Sequence, residues 1–176
     1  MIDQVEDYLH YLRVERGLSE NTLTSYRQDL LEAVHYFKKT VSKFSEVDQF
    51  LILDYLQTLQ NDNKARNTVI RTVSSLRRFF QYLVQFGIVK EDPMLKVDSP
   101  KKAQGLPDVL TEQQVDLLLA TPDTGKKLGV RDRAILETLY ATGLRVSELI
   151  NLKLVDLHLS MNLLQTIGKG DRERII

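Results

Sequence analysis

The sequence contains no cysteine, which excludes disulfides, thiolate metal sites and cysteine nucleophiles. Its three histidines, His10, His35 and His158, lie far apart, so no two of them share a metal-ligand spacing. No apolar run approaches the roughly 20 residues needed to cross a bilayer. The N-terminus MIDQVEDYLH is acidic and amphipathic and is no secretory signal. No membrane partner is expected, and the cytoplasm is the default compartment. Net charge is absent as well: 24 basic residues balance 24 acidic ones, so the overall charge says nothing about a polyanionic partner. Proline is scarce, four in 176 residues, and three of the four (Pro93, Pro100 and Pro107) fall within one short stretch.

What is present is an ordinary soluble composition, 43% apolar and 27% charged, in a chain long enough for one large domain or two small ones. The first half reads as four amphipathic helices. Ile2, Val5, Tyr8, Leu9 and Leu12 keep helical spacing up to Gly17. Ser19 opens a second helix carrying Leu23, Tyr26, Leu30, Ala33 and Phe37, and Asp48 opens a third through Leu59. A fourth runs from about Arg66 to Phe86, with Val69, Val73, Leu76, Phe80 and Leu83 on one side before Gly87. From Gly87 to Asp108 the density of prolines and glycines, with Lys96, Lys101 and Lys102, reads as a basic, extended linker. Thr111 and Gln114 then form a capping box for a short helix through Ala120, and another helix spans about Val130 to Thr142. The tail, LLQTIGKGDRERII, reads as strand, glycine-rich turn, strand. The expected division is a helical domain over 1–86, a linker over 87–108 and a second domain over 109–176 that looks unfinished, because a lone apolar hairpin needs more sheet or helix to cover it.

Charge is unevenly distributed. Residues 1–60 carry six basic and ten acidic side chains, whereas Lys64, Arg66, Arg71, Arg77 and Arg78 come next with no acid among them. Lys64, Arg71 and Arg78 recur every seven residues, and Thr68, Thr72 and Ser75 share their strip. Such donors on a helix suit a row of phosphates. The plainer reading is a solvated helix face. Asn21, Thr22, Ser25 and Arg27 crowd the start of the second helix, where a phosphate is favoured but simple capping explains them equally well. The seven tyrosines fall mostly on apolar stripes, and none has a nearby base to mark it as a nucleophile.

Two motifs in the second domain could carry chemistry. In ATGLRVSEL, Gly143 permits a sharp turn, and Leu144, Val146 and Leu149 anchor the short turn after it, so Arg145 is held rigidly. A fixed guanidinium can clamp two phosphate oxygens, with Glu148 to orient it. A surface ion pair of i,i+3 spacing is the alternative. GKGDRER places Lys169 at a hairpin tip, equally compatible with a catalytic ammonium and with an exposed turn.

Taken together, GLSENTLTSYRQDL, LPDVLT, RDRAILETLYATGLRVSELINL and GKGDRER resemble the tyrosine recombinase (phage integrase) family, most closely its bacterial XerD-type branch. The resemblance runs from near the N-terminus to Ile176. It implies a mainly α fold: a four-helix, SAM-like core-binding domain, then the first part of an α-rich catalytic domain with a small β-hairpin. It also implies that Arg145 contacts the scissile phosphate, that Lys169 is the general acid for the leaving 5′ oxygen, and that Glu148 supports them. Lys64, Thr68, Arg71, Ser75, Arg78, Lys101, Lys102 and the second-helix group are then the expected DNA contacts. The family's His-x-x-Arg motif, its later His or Trp and its tyrosine nucleophile do not follow the hairpin, so these residues are expected to bind DNA without cutting it. Strand exchange of this kind needs no metal and no cofactor. The implied partners are double-stranded DNA, a sister recombinase in a heterotetramer and a DNA translocase, in chromosome dimer resolution at cell division. The start of the chain directly at core-binding helices favours that branch over phage integrases. A non-catalytic short relative that blocks sites, a mobile-element integrase and a helical protein–protein adaptor remain as alternatives.

Overall fold

The computed structural model describes residues 1–100, 108–168 and 173–176, with only the backbone of Ile167. The chain forms two compact units, Met1–Gly105 and Leu106–Ile176.

In the first unit the apolar periodicity becomes four helices: α1 Ile2–Val14, α2 Glu20–Phe37, α3 Gln49–Asn61 and α4 Arg66–Gln85. The stripe on α1 buries Val5, Tyr8, Leu9 and Leu12, and that on α4 buries Val69, Val73, Leu76, Phe79, Phe80 and Leu83. Asp48 caps α3, its carboxylate accepting the Leu51 N–H at 2.8 Å. Ser19 precedes α2, but its hydroxyl meets that of Thr22 at 3.0 Å and caps no backbone N–H. A short 3-10 turn, Phe44–Glu46, drives Phe44 between α4 rings, with centroids 4.9 Å from Phe79 and 5.9 Å from Phe80. Tyr8 completes this cluster, 5.2 Å from Phe79.

The expected linker starts later than residue 87. Val89, Met94 and Val97 are buried with the helical core. The Val97 carbonyl accepts a hydrogen bond from Arg77 at 2.8 Å, and Asp92 receives the Met94 N–H at 2.8 Å to shape the turn. Pro93 interrupts helix there without preventing burial, because three spaced apolar side chains return the chain to the core. Lys101 and Lys102 lie outside the described residues.

In the second unit, α5 Glu112–Ala120 begins at the expected capping box: the Thr111 N–H reaches Gln114 at 2.8 Å and the Gln114 N–H reaches Thr111 at 3.3 Å. The next helix, α6 Lys127–Thr142, starts three residues before the expected Val130. Gly129 allows this, since a Cβ there would sit 1.9 Å from the Asp123 carbonyl oxygen. After α7, Val146–Ile150, come a 3-10 turn (Leu154–Asp156) and three antiparallel strands in the order β1-β2-β3: Leu157–His158, Leu163–Ile167 and Glu173–Ile175. The β2–β3 hairpin was legible in the sequence and the two-residue β1 was not. Among the described residues of this unit, Leu144 and Leu164 are the buried apolar side chains. Leu144 anchors the α6–α7 turn as expected, but Val146 is 66% exposed and anchors nothing.

Candidate nucleic-acid interface and phosphate site

The α6–α7 turn is built to present Arg145. Gly143 adopts φ 62°, the left-handed conformation a glycine takes without steric cost, and its N–H closes α6 on Leu139 O at 2.9 Å. Burial of Leu144 then leaves Arg145 as the residue preceding α7. Glu148, one turn on, is buried and accepts three hydrogen bonds. Its Oε2 receives the Arg145 backbone N–H at 2.7 Å and Arg174 Nη2 at 2.8 Å, and its Oε1 receives Arg145 Nη1 at 2.8 Å. The Arg145 backbone N–H, seconded by its guanidinium and by Arg174, holds the Glu148 carboxyl below its ordinary value despite burial. The Arg145 side chain remains 61% exposed while that of Glu148 is 5% exposed. Two guanidiniums around one carboxylate leave one uncompensated positive charge, with Arg145 donors open to solvent. An anion with several acceptor oxygens fits that arrangement. Lys169, the other expected catalytic residue, lies outside the described residues, between β2 and β3.

Sequence reasoning missed Arg174. On β3 it pairs in register with buried Thr166, and it is this register that fixes the face Arg174 occupies.

The basic strip of the first unit is arranged differently from the expected row of free donors. Ser75 and Thr72 are buried, at 0% and 2% exposure. Ser75 donates to Asp29 Oδ2 at 2.8 Å and Thr72 to Asp29 Oδ1 at 3.4 Å. The assignment of Ser75 as a DNA contact is therefore corrected: its hydroxyl faces α2 and fastens the two helices. Arg71 pairs with the same carboxylate at 3.1 Å and reaches Ser25 O at 3.5 Å, so Arg71 and Ser25 do share one surface. Asp29 titrates above the ordinary carboxylate range because burial outweighs these donors.

Lys64 precedes α4 and pairs with Glu32 at 2.9 Å, so it does not continue the helical line through Arg71 and Arg78. Arg27 pairs with Glu6 of α1. Thr68 is half-buried and Arg78 exposed. Asn21 is exposed, its carbonyl accepting from Ser25 at 2.9 Å, and Thr22 is half-buried against Ser19. The acids that partner the strip come from neighbouring helices, where a search along one segment does not find them. At the α3–α4 turn an open cleft of about 480 Å³ is lined by Gln60, Asn63, Lys64, Arg66, Val69 and Pro100.

The tyrosines of the first unit are structural. Tyr8 and Tyr55 are buried, neither hydroxyl has a partner among the described residues, and burial pushes both phenols further from ionisation. Tyr140 of α6 is exposed. No helix of the described residues is long and apolar enough to cross a membrane.

Residues 5–87 match the phage integrase N-terminal SAM-like domain, and residues 108–176 match the phage integrase family. The chain is 49% identical over 172 residues to tyrosine recombinase XerD of Lacticaseibacillus casei, covering 98% of this chain and 58% of that protein. It is 47% identical over 178 residues to XerD of Listeria monocytogenes, covering 100% of this chain and 60% of that one. The chain thus spans about three-fifths of the length of these curated relatives. Among solved structures, a lambda integrase (75–356) dimer bound to a COC' core site is similar with a TM-score of 0.79, at 17% identity, over 100% of this chain and 59% of that chain. A lambda integrase tetramer bound to a Holliday junction gives a TM-score of 0.77 at 17% identity, over 99% of this chain and 49% of that one. With its helical first unit, its arginine-bearing turn and its β2–β3 pairing each in place, the chain belongs to the phage integrase family of tyrosine recombinases and is similar to the XerD proteins among them.

Proposed function

We propose that these residues bind duplex DNA and supply the first part of the phosphate-activating site of a site-specific recombinase. The observation that carries this reading is Arg145: an exposed guanidinium fixed at its backbone and side chain by one buried carboxylate. In the reaction, a tyrosine oxygen attacks the scissile phosphorus, the 5′ oxygen leaves with a proton, and a 3′-phosphotyrosyl bond conserves the phosphodiester energy. Arg145 would neutralise the charge that builds on the non-bridging oxygens, and such preorganised donors are the largest catalytic contribution in water-excluded sites. Lys169 is the proposed proton donor, and Glu148 keeps Arg145 oriented. Arg71, Arg78, Lys64, Arg27, Asn21, Thr22, Ser25, Thr68, Lys101 and Lys102 are the proposed backbone contacts, of which Arg71, Lys64 and Arg27 pair with acids and Arg78 is exposed. The XerD likeness supports chromosome dimer resolution with a sister recombinase as the setting.

The test is binding to a 30-bp duplex across a salt series, together with a suicide substrate that traps covalent adducts. The expected result is salt-dependent binding without an adduct. Neutralising Lys64, Arg71 and Arg78 together lowers the log–log salt slope by about 2 to 3. An unchanged slope favours a helical adaptor, and a trapped adduct overturns the claim that these residues do not cleave.

A further inference from the structure

Glu148 does more than orient Arg145. Its Oε2 also accepts Arg174 Nη2 at 2.8 Å, and Arg174 stands on β3, directly opposite Thr166 of β2. One buried carboxylate therefore joins the residue that caps α7, the first turn of α7 and the third strand. Each of its oxygens is committed: Oε1 to the Arg145 guanidinium, Oε2 to the Arg145 backbone N–H and to Arg174. Among the described residues, Arg174 is the one that blocks rotation of the carboxylate from the strand side. Without that bond, nothing else described on β3 keeps Oε2 on the Arg145 N–H and Oε1 on its side chain at once.

We propose that Arg174 is a positioning residue for Arg145: acting through Glu148, it fixes the guanidinium for a DNA phosphate and couples that fixation to strand β3. This rests on the reading of Arg145 as a phosphate ligand. Arg174 makes one hydrogen bond to Glu148, from a single nitrogen, so the geometry asks for a cation with one well-placed donor and not for a bidentate fork. Lysine meets that requirement and glutamine does not.

The experiment is a double-mutant cycle in the 176-residue chain: Arg145→Ala, Arg174→Gln and both together, binding a 30-bp duplex across a salt series, with Arg174→Lys as the conservative variant. Arg145→Ala is expected to weaken binding on the order of tenfold, the loss of one charge-assisted contact, and to lower the salt slope by about 1. Arg174→Gln is expected to weaken binding about threefold, within the range of coupling in one ion-pair network. The double variant should bind no more weakly than Arg145→Ala, and Arg174→Lys should recover most of the loss. Additive losses, with the slope falling by about 2 in the double variant, overturn the proposal by making Arg174 a phosphate contact in its own right. Failure of lysine to rescue overturns it as well.

A second readout separates this claim from the one beneath it. If Arg145→Ala leaves binding unchanged, the phosphate reading of Arg145 fails. The positioning claim is then decided by the Arg145 Nε–Hε NMR signal and the Glu148 carboxyl titration. Both should move in Arg174→Gln, the titration upward towards the ordinary range, and both should return in Arg174→Lys. Signals identical to wild type in Arg174→Gln overturn it.

Discussion

The first unit closes around its own side chains, whereas the second leaves most of its apolar surface uncovered. Two dozen apolar residues of the first unit are buried in one cluster, against Leu144 and Leu164 among the described residues of the second. Among the described residues, the large apolar side chains left exposed number six in the first unit (Ile2, Val14, Phe50, Leu53, Phe86 and Leu95) and sixteen in the second. Each fully buried side chain of this kind contributes about 1.5–3 kcal/mol relative to exposure, so the two units differ in kind as folding units. The difference teaches where to expect rigidity. In the first unit, hydrophobic packing sets the helices and the polar contacts adjust to it. In the second, caps and ion pairs, such as the Thr111–Gln114 box and the Glu148 hub, hold elements that apolar burial alone does not fix.

The largest expected effect tests that contrast directly. Phe79 is fully buried and packs its ring on Tyr8, Phe44 and Phe80. Phe79→Ala should destabilise the first unit by about 3–5 kcal/mol, from lost transfer energy and the cavity left behind. Leu117 of α5 is 71% exposed, and Leu117→Ala should change stability by no more than about 0.5 kcal/mol. Denaturant unfolding followed by amide signals of each unit measures both. Comparable losses at the two positions would mean that the second unit is covered in solution.

A smaller effect is expected at the polar fastening between α2 and α4. Asp29→Ala takes away the acceptor of the buried Thr72 hydroxyl, leaves Ser75 only its bond to the Arg71 carbonyl at 3.1 Å, and frees the Arg71 side chain. The cost of leaving a buried donor unsatisfied puts the loss at about 2 kcal/mol, read in the same unfolding experiment. Asp29→Asn keeps an acceptor for Ser75 and should cost less. Equal losses in the two variants would show that the carboxylate's charge, and not its acceptor geometry, holds the helices.

How much was readable in advance divides along the same line. Helix periodicity placed α1 to α4 to within a few residues, because one buried stripe of Val, Leu and Phe per helix overrides every weaker preference. The Thr111–Gln114 box and the Gly143 turn were readable since each is a local device whose residue types state their own geometry. The return of Val89, Met94 and Val97 to the core was not, because three apolar residues scattered among prolines carry no period. Ser75 was misplaced for a related reason. A small hydroxyl residue belongs equally well to a polar strip and to a core edge, and its partner Asp29 lies 46 positions away on another helix. Arg145 and Glu148 were paired correctly from spacing, while Arg174 came to Glu148 through sheet register, which no local pattern announces.

The smallest effect is also the most discriminating between the units, because each contains one buried carboxylate that holds an arginine. For Asp29, burial raises the folded-state pKa above that of the unfolded chain. The folded state then binds more protons in that window, so stability falls as pH rises from the ordinary carboxylate value through the raised one. For Glu148, the Arg145 N–H and the two guanidiniums lower the folded-state pKa. Its contribution is present above the ordinary value and is lost as pH falls through the depressed one. Carbon-detected carboxyl titrations of the two residues should therefore bracket the ordinary range from opposite sides. Asp29→Asn should flatten the first unit's decline above that range, and Glu148→Gln should remove the second unit's decline below it. Titration of both carboxyls above the ordinary range would mean that burial, and not the donors gathered around Glu148, governs the α6–α7 turn, and the fixed guanidinium would lose its physical basis.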